Sequence, residues 1–312
     1  MTAQYLRNVQ LKVLDDTGAG LDLSKLKITF QTTAADVQTP NTALIRIYNL
    51  AEETRLKLRR EGTKVELKCS YGEDPPALIF SGQIKRFVNG SEAGGIDRFL
   101  EIQAADSDGI YRYSIVNAAV AAGHTPAAIR DQLLSSFREQ GASGLAPGSS
   151  PPPEGQAAPR GAVLSGSTRT LMRRLIDAEN ANWSLQNGQV QIIKRNGFLP
   201  GDTIVLTART GLIGIPEQTP EGVVITCLLN PAIQYGRRVA IDNKSVNEAR
   251  FNLGYGGDAA NALIPQLNDD GIYRVITVEH KGDTYGQQWY TVMVCLSING
   301  AVPGSLTNRG LG

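Results

Sequence analysis

Histidine and cysteine are scarce in this chain of 312 residues, which holds two histidines, His124 and His280, and three cysteines, Cys69, Cys227 and Cys295. A zinc site would have to combine them with carboxylates, and no Cys-x-x-Cys or His-x-x-x-His spacing exists. Three cysteines cannot close a disulfide framework. Each lies in a strand-like run (ELKCSY, VITCLL, VMVCLS), so all three read as small buried hydrophobes. No metal or cofactor is expected. An excess of charge is missing too: 31 basic against 30 acidic side chains leave a net charge of +1. Tight, sequence-independent nucleic-acid binding needs a basic excess, so that partner is disfavoured. No run approaches the roughly 18 apolar residues of a membrane span, so stable membrane insertion is not expected. The opening MTAQYLRNVQLKVLDD lacks the basic-then-apolar order of a signal peptide, which predicts synthesis and folding in the cytosol. What remains is ordinary. With 41% hydrophobic and 20% charged residues, the chain has the composition of a folded protein and the length of two or three domains.

The first hundred residues read as short strands punctuated by turns. Ala43–Tyr48 alternates toward one face, and Glu52–Arg60 is a short charged helix with acids first and bases last, as the helix dipole prefers. Gly62 ends it, and Thr63–Cys69 resumes period-two alternation. Leu78–Val88 and Arg98–Ala104 form a hairpin around the Gly-rich loop Asn89–Gly95. The middle differs. Thr125 caps a helix over Ala127–Gln140 that places Ile129, Leu133 and Phe137 on one face and stops at Gly141, with His124 in the loop before it. Gly141–Gly161 is rich in Gly, Pro, Ser and Ala and predicts an extended or mobile loop. A second helix over Ser167–Asn180 turns Leu171, Leu175 and Ile176 inward. Trp183–Gln186, the Asn187-Gly188 turn and Gln189–Lys194 then make a hairpin. Strands return at Thr203–Thr207, Val223–Leu228, Arg237–Asp242, Tyr273–Lys281 and Gln288–Leu296, before a polar, Gly-rich tail, Asn299–Gly312.

The first and last thirds share an order of events. Tyr48-Asn49-Leu50 and Leu229-Asn230-Pro231 each end a strand, and Gly62–Leu67 and Gly236–Ile241 each begin the next. A long strand follows (Ile79–Phe87; Gly271–Val278), and then a closing one (Phe99–Ala104; Tyr290–Leu296). The expected architecture is α+β, mainly β: two similar β-barrel-like domains, 1–106 and 197–298, flanking a mixed α/β insert, 107–196, that carries the 141–161 loop, with 299–312 as a flexible tail.

Candidates for chemistry are weak. Asp106-Ser107-Asp108-Gly109 and Asn268-Asp269-Asp270-Gly271 resemble fragments of calcium loops without the twelve-residue pattern or its closing Glu, and read as turns. Paired acids for glycoside hydrolysis could be drawn from Glu52, Glu53, Asp269 or Asp270, but solvated helix and turn positions explain them. His280 and Asp283 stand at a hairpin end as a conceivable proton-transfer pair, with no nucleophile elbow to serve. Ser165-Gly166-Ser167 reads as a helix entrance. Gly254-Tyr255-Gly256-Gly257 lacks the Lys-Ser/Thr of a phosphate loop, and Trp183 and Trp289 read as core or interface residues. No catalytic, cofactor-binding or metal residue is assigned, and no enzymatic activity is expected.

Several phrases, taken in order, resemble the baseplate hub proteins of contractile-tailed bacteriophages, a tube-like family related to the base of type VI secretion spikes. They are Asn41–Leu50, Ile79–Ile84, Leu171–Ile176 with Trp183–Gly188, Thr210–Pro216, Cys227–Pro231 and His280–Asp283, spread over residues 5 to 298. The 141–161 loop looks like a lineage-specific insert. The resemblance implies a homotrimer in which each chain gives two related β domains. Three chains then form a pseudo-six-fold ring joining the hexameric tail tube to the trimeric cell-puncturing spike, alongside other baseplate proteins. DNA would pass through its channel without specific binding, which the balanced charge suits. The implied location is the virion tail baseplate, assembled in the host cytoplasm. Two other classes compete: another structural or carbohydrate-binding tail protein, and a tail-associated cell-wall hydrolase.

Overall fold

The computed structural model describes residues 6–35, 39–92, 96–151, 155–242, 246, 247, 267 and 270–297. The first third holds β1 (Arg7–Leu14), β2 (Gly20–Asp22), β3 (Ile28–Ala35), β4 (Thr42–Tyr48), α1 (Glu52–Glu61), β5 (Lys64–Tyr71), β6 (Ala77–Glu92) and β7 (Asp97–Ala105). The middle holds α2 (Asp108–Tyr113), β8 (Ile115–Val120), α3 (Pro126–Glu139), β9 (Ala162–Ser167), α4 (Thr168–Ala178), β10 (Ala181–Gln186) and β11 (Gln189–Lys194). The last third holds β12 (Ile204–Val205), β13 (Leu212–Thr219), β14 (Gly222–Leu228), β15 (Arg238–Ala240), β16 (Ile272–Asp283) and β17 (Trp289–Ser297). The protein is α+β and mainly β, as its patterning predicts. No helix among the described residues is long and apolar enough to cross a membrane.

The two β modules repeat each other strand for strand. The first runs β3-β4-β7-β6-β5 across its sheet, and the second runs β13-β14-β17-β16-β15, with antiparallel pairing throughout. Register repeats as well. Ala43 faces Ala104 as Val223 faces Cys295, Tyr48 faces Phe99 as Leu228 faces Tyr290, and Lys64 faces Gln83 as Arg238 faces Arg274. Both long strands carry a bulge at the same place, between Ile84 and Arg86 and between Val275 and Thr277. The flanking main-chain bonds recur: Ile84 N–H donates to Thr63 O at 2.8 Å, and Val275 N–H to Arg237 O at 3.0 Å. A bulge is a local insertion that one residue's slip would misplace, so its recurrence fixes the alignment of the two copies. Tyr48–Leu50 therefore corresponds to Leu228–Asn230, one residue earlier than the Leu229–Pro231 that the sequence pattern pairs with it.

Among the described residues neither module closes into a barrel. β1 and β5 at one end of the first sheet share a core with β3 and β4 at the other, where Val9, Leu11, Val13 and Leu67 meet Ile28, Phe30, Ile45 and Ile47. The sheet curls, yet the outer edge of β3 bonds to β16 instead of to its own module, and both modules merge into one 13-stranded sheet. The neighbours of β5 and β15 also differ. β1 adds antiparallel to β5, while β12 adds parallel to β15.

The middle region has its own core, in which Phe137 lies against Trp183 (5.4 Å between rings) with Leu133, Met172, Ile176 and Leu185 around them. Helix α3 starts where expected, with Thr125 Oγ1 accepting from Ala128 N–H at 3.4 Å. Of the extended and mobile alternatives for the 141–161 loop, the stretch Gly144–Ser150 takes the extended one. Ala146 N–H donates to Val190 O (2.7 Å), Val190 N–H to Gly144 O (2.8 Å) and Ser150 N–H to Ile192 O (2.7 Å), so this stretch lies along β11. Backbone hydrogen bonds to a strand edge order it, and Leu145 packs against the core of the middle region.

Candidate functional site

The joint between the modules is the feature on which the chain's organisation turns. Strand β3 pairs with the second half of β16 from Ala35 opposite Thr277 to Thr29 opposite Asp283. The bulge near Ile276 makes this possible. Before it, β16 offers that edge to β15, and beyond it the same edge passes to β3. Alternation puts Val278, His280 and Gly282 on the core face of β16 and Thr277, Glu279 and Lys281 on the other.

On the core face the joint is buried. His280 is buried, and its Nδ1 is 2.8 Å from Thr291 Oγ1 on β17, with Thr32 of β3 as its cross-strand neighbour. Burial pushes the imidazole down to about 4, so it is neutral at ordinary pH. Gly282 lets Phe30 lie directly on the strand, because a Cβ there would stand 2.3 Å from the Phe30 ring. Trp289 fills the rest, edge-on to Phe30 (5.8 Å) and Tyr71 (6.4 Å). Arg7 covers its ring and donates to Gly286 O at 2.6 Å. On the opposite face charges pair, Lys281 with Glu279 (2.8 Å) and Arg46 with Glu101 (2.8 Å) and Glu92 (2.9 Å), and the Gln31 amide donates to Glu279.

Solved structures of tail proteins share this architecture. The tail protein from Neisseria meningitidis MC58 superposes with a TM-score of 0.57 at 9% identity, covering 94% of this chain and 97% of that one. The 43 kDa tail protein of prophage MuSo2 from Shewanella oneidensis gives 0.58 at 8% identity, with 94% and 97% covered. The E. coli c3393 protein is a type VI secretion component similar in structure to the T4 bacteriophage tail proteins gp27 and gp5. It gives 0.53 at 12% identity, with 89% and 76% covered. No protein-family model matches the sequence, and no curated protein matches it. The chain shares the fold of these solved structures.

Within that fold the residues singled out from sequence fall apart rather than together. His280 and Asp283 share a strand but serve different ends. The His280 ring bonds to Thr291, while Asp283 Oδ1 accepts the main-chain N–H of Tyr285 (2.9 Å) and Gly286 (2.8 Å). His124 Nδ1–H donates to Ala121 O at 2.8 Å in a loop. Glu52 pairs with Arg55 on the exposed side of α1, beside Glu53. Ser165–Ser167 ends β9 and leads into α4. Gly254–Gly257, Asn268, Asp269 and the tail 299–312 lie outside the described residues. The three cysteines are free and buried, and burial pushes the Cys227 thiol up to about 12. Among the described residues no cluster of His, Cys, Asp and Glu could hold a metal ion.

The Asp106–Gly109 segment has a use the turn reading missed. Asp106 is buried and accepts from the main-chain N–H groups of Asn187 and Gly188 (the latter at 3.1 Å) and from Ser107 Oγ at 2.6 Å. Asn41 Nδ2 donates to Gln186 Oε1 at 2.8 Å, and Ser81 N–H to Asn187 Oδ1 at 3.2 Å. The Asn187-Gly188 hairpin is thus clasped onto the first module. Burial raises the Asp106 carboxyl to about 6 against these donors. Asp108 pairs instead with Lys85 and with Arg112 (2.9 Å).

Proposed function

We propose that the chain is a structural component of a phage tail, the baseplate hub: a homotrimer whose two modules per chain make a pseudo-six-fold ring between a hexameric tail tube and a trimeric cell-puncturing spike. The observation that carries this reading is the register-for-register duplication joined edge to edge inside one chain. A module that already pairs with its own copy has the geometry to do so again, and closing a ring removes the exposed edges an open sheet would leave. Three chains with two modules each supply six equivalent units to a six-fold partner while keeping three-fold symmetry for the other. The tail-protein fold supports the reading, and so does the solvent face of β3, β4, β7 and β16, whose charges are paired with opposite sign. As the wall of a channel, such a face would let DNA pass without holding it. On this reading the domains are 1–106, 107–196 and 197–298, the protein works without catalysis, and its place is the virion tail.

The test is the mass of the purified full-length protein by light scattering. A trimer is the expected result. A stable monomer across micromolar concentrations overturns the ring.

A further inference from the structure

We propose that the stretch Gly144–Ser150 is an edge guard: it occupies the free edge of β11 and keeps that strand from pairing with β11 of a second copy of this chain. Such a guard serves the chain in any oligomeric state, so it stands or falls apart from the ring reading above.

Strand β11, Gln189–Lys194, has the sequence QVQIIK. Val190, Ile192 and Ile193 are β-branched, no residue is Gly or Pro, and Lys194 alone is charged. Segments of that composition stack into cross-β ladders when their edges are open. The strand is also apolar on both faces. Val190 and Ile192 enter the core of the middle region, and Ile193 packs with Leu199 and Tyr235. β10 pairs with one edge. The other would present the N–H groups of Val190, Ile192 and Lys194 and the carbonyls of Val190 and Ile192 to any arriving strand.

Gly144–Ser150 answers each of these groups. Val190 N–H donates to Gly144 O (2.8 Å), Ala146 N–H to Val190 O (2.7 Å) and Ser150 N–H to Ile192 O (2.7 Å). The two remaining donors go to side chains: Ile192 N–H to Ser149 Oγ at 3.3 Å, and Lys194 N–H to Ser150 Oγ at 3.1 Å. The stretch does this without acquiring a pairing edge of its own. Pro147 has no N–H, Ser149 N–H closes a turn onto Ala146 O at 3.2 Å, and Gly148 takes a φ of 78°, so its outer side offers no ladder to a further chain. Leu145 packs on the middle core and Arg130 Nη1 donates to Ser150 O at 3.3 Å, which holds the guard down.

Replacing Gly144–Ser150 by seven glycines keeps the chain length while removing the Leu145 anchor and both serine acceptors. The full-length variant is compared with the parent by light scattering across micromolar concentrations, with circular dichroism as the check on folding. A folded variant whose mass grows with concentration beyond that of the parent is expected. A folded variant that keeps the parent's mass overturns the guard. Adding Lys194→Pro removes a donor that faces away from β10, and it should return the parent's mass. Association that survives Lys194→Pro arises on another surface and also overturns the proposal. A milder variant, Ser149→Ala/Ser150→Ala, decides the matter if the glycine variant does not fold. It leaves the main-chain contacts in place and frees only the N–H groups of Ile192 and Lys194, whose hydrogen exchange should quicken about tenfold. Unchanged protection at both amides overturns the guard.

Discussion

The two modules share a path, a register and a bulge, yet their equivalent residues beyond that bulge differ in kind. In the second module Val278, His280, Gly282 and Trp289 are shut into a buried joint with β3. Their counterparts in the first, Phe87, Asn89, Ser91 and Arg98, lie on or beside an edge that no described strand of the chain covers. Identical backbone geometry therefore does not determine burial; what each edge meets does. The residues have followed: a glycine where a phenylalanine must lie flat and an indole where a void would otherwise remain, against polar side chains where water reaches.

Equivalent substitutions in the two modules test this contrast. The largest difference should come from the indole. Trp289→Ala opens a cavity between Phe30 and Tyr71 and should cost about 3–5 kcal/mol in denaturant unfolding, whereas Arg98→Ala at the equivalent exposed site should stay within about 0.5 kcal/mol. Equal losses would mean that the joint is not tightly packed. His280 comes next. Its folded-state value of about 4 lies below the ordinary 6.5, so its stabilising contribution is complete above pH 6.5 and is lost as pH falls from there through 4. That loss is on the order of 3 kcal/mol, and His280→Asn should remove it, leaving the module as insensitive to acid as one carrying Asn89.

Asp106, which ties the middle region to the first module only, should show the opposite slope. Its value of about 6 lies above the ordinary 3.8, so that contribution is complete below pH 3.8 and is lost as pH rises through 6. In the His280→Asn background, stability should fall between pH 4 and 6, and Asp106→Asn should flatten the curve. Asp106→Ala, which strands two buried N–H groups of the hairpin, should cost about 1–3 kcal/mol at pH 7. The smallest effect belongs to the polar face. Arg46→Ala breaks an exposed ion pair with Glu92 and a part-buried one with Glu101 and should cost about 1 kcal/mol. Thr226, its counterpart, holds the same position without a charge.

Much of the fold is legible in the sequence because its signals are local. Thr125 before Pro126, Asn187-Gly188 between alternating runs, and Gly62 or Gly236 ahead of a strand each act within a few residues, and the elements stand close to where those signals place them. The strand Ile28–Ala35, ITFQTTAA, carries no comparable punctuation and does not stand out from its surroundings, although the joint depends on it. The order along Gly144–Ser150 is hidden for a different reason, since its partners are main-chain groups of β11 and composition does not reveal them. Asp106 reads as a turn residue because it opens the run Asp106-Ser107-Asp108-Gly109, whose composition is that of a turn, and its acceptor role depends on a hairpin that arrives some eighty residues later.

By itself the sequence determined a mainly β chain that carries one module twice, because alternation and turn chemistry are properties of neighbouring residues. Only the tertiary structure decided that the copies join through β3 and β16, that among the described residues no barrel closes, and that one edge is sealed while its twin meets no described strand. Which edge meets which is set by contacts between segments far apart in the chain, and the energy of those contacts has no local signature for a sequence to display.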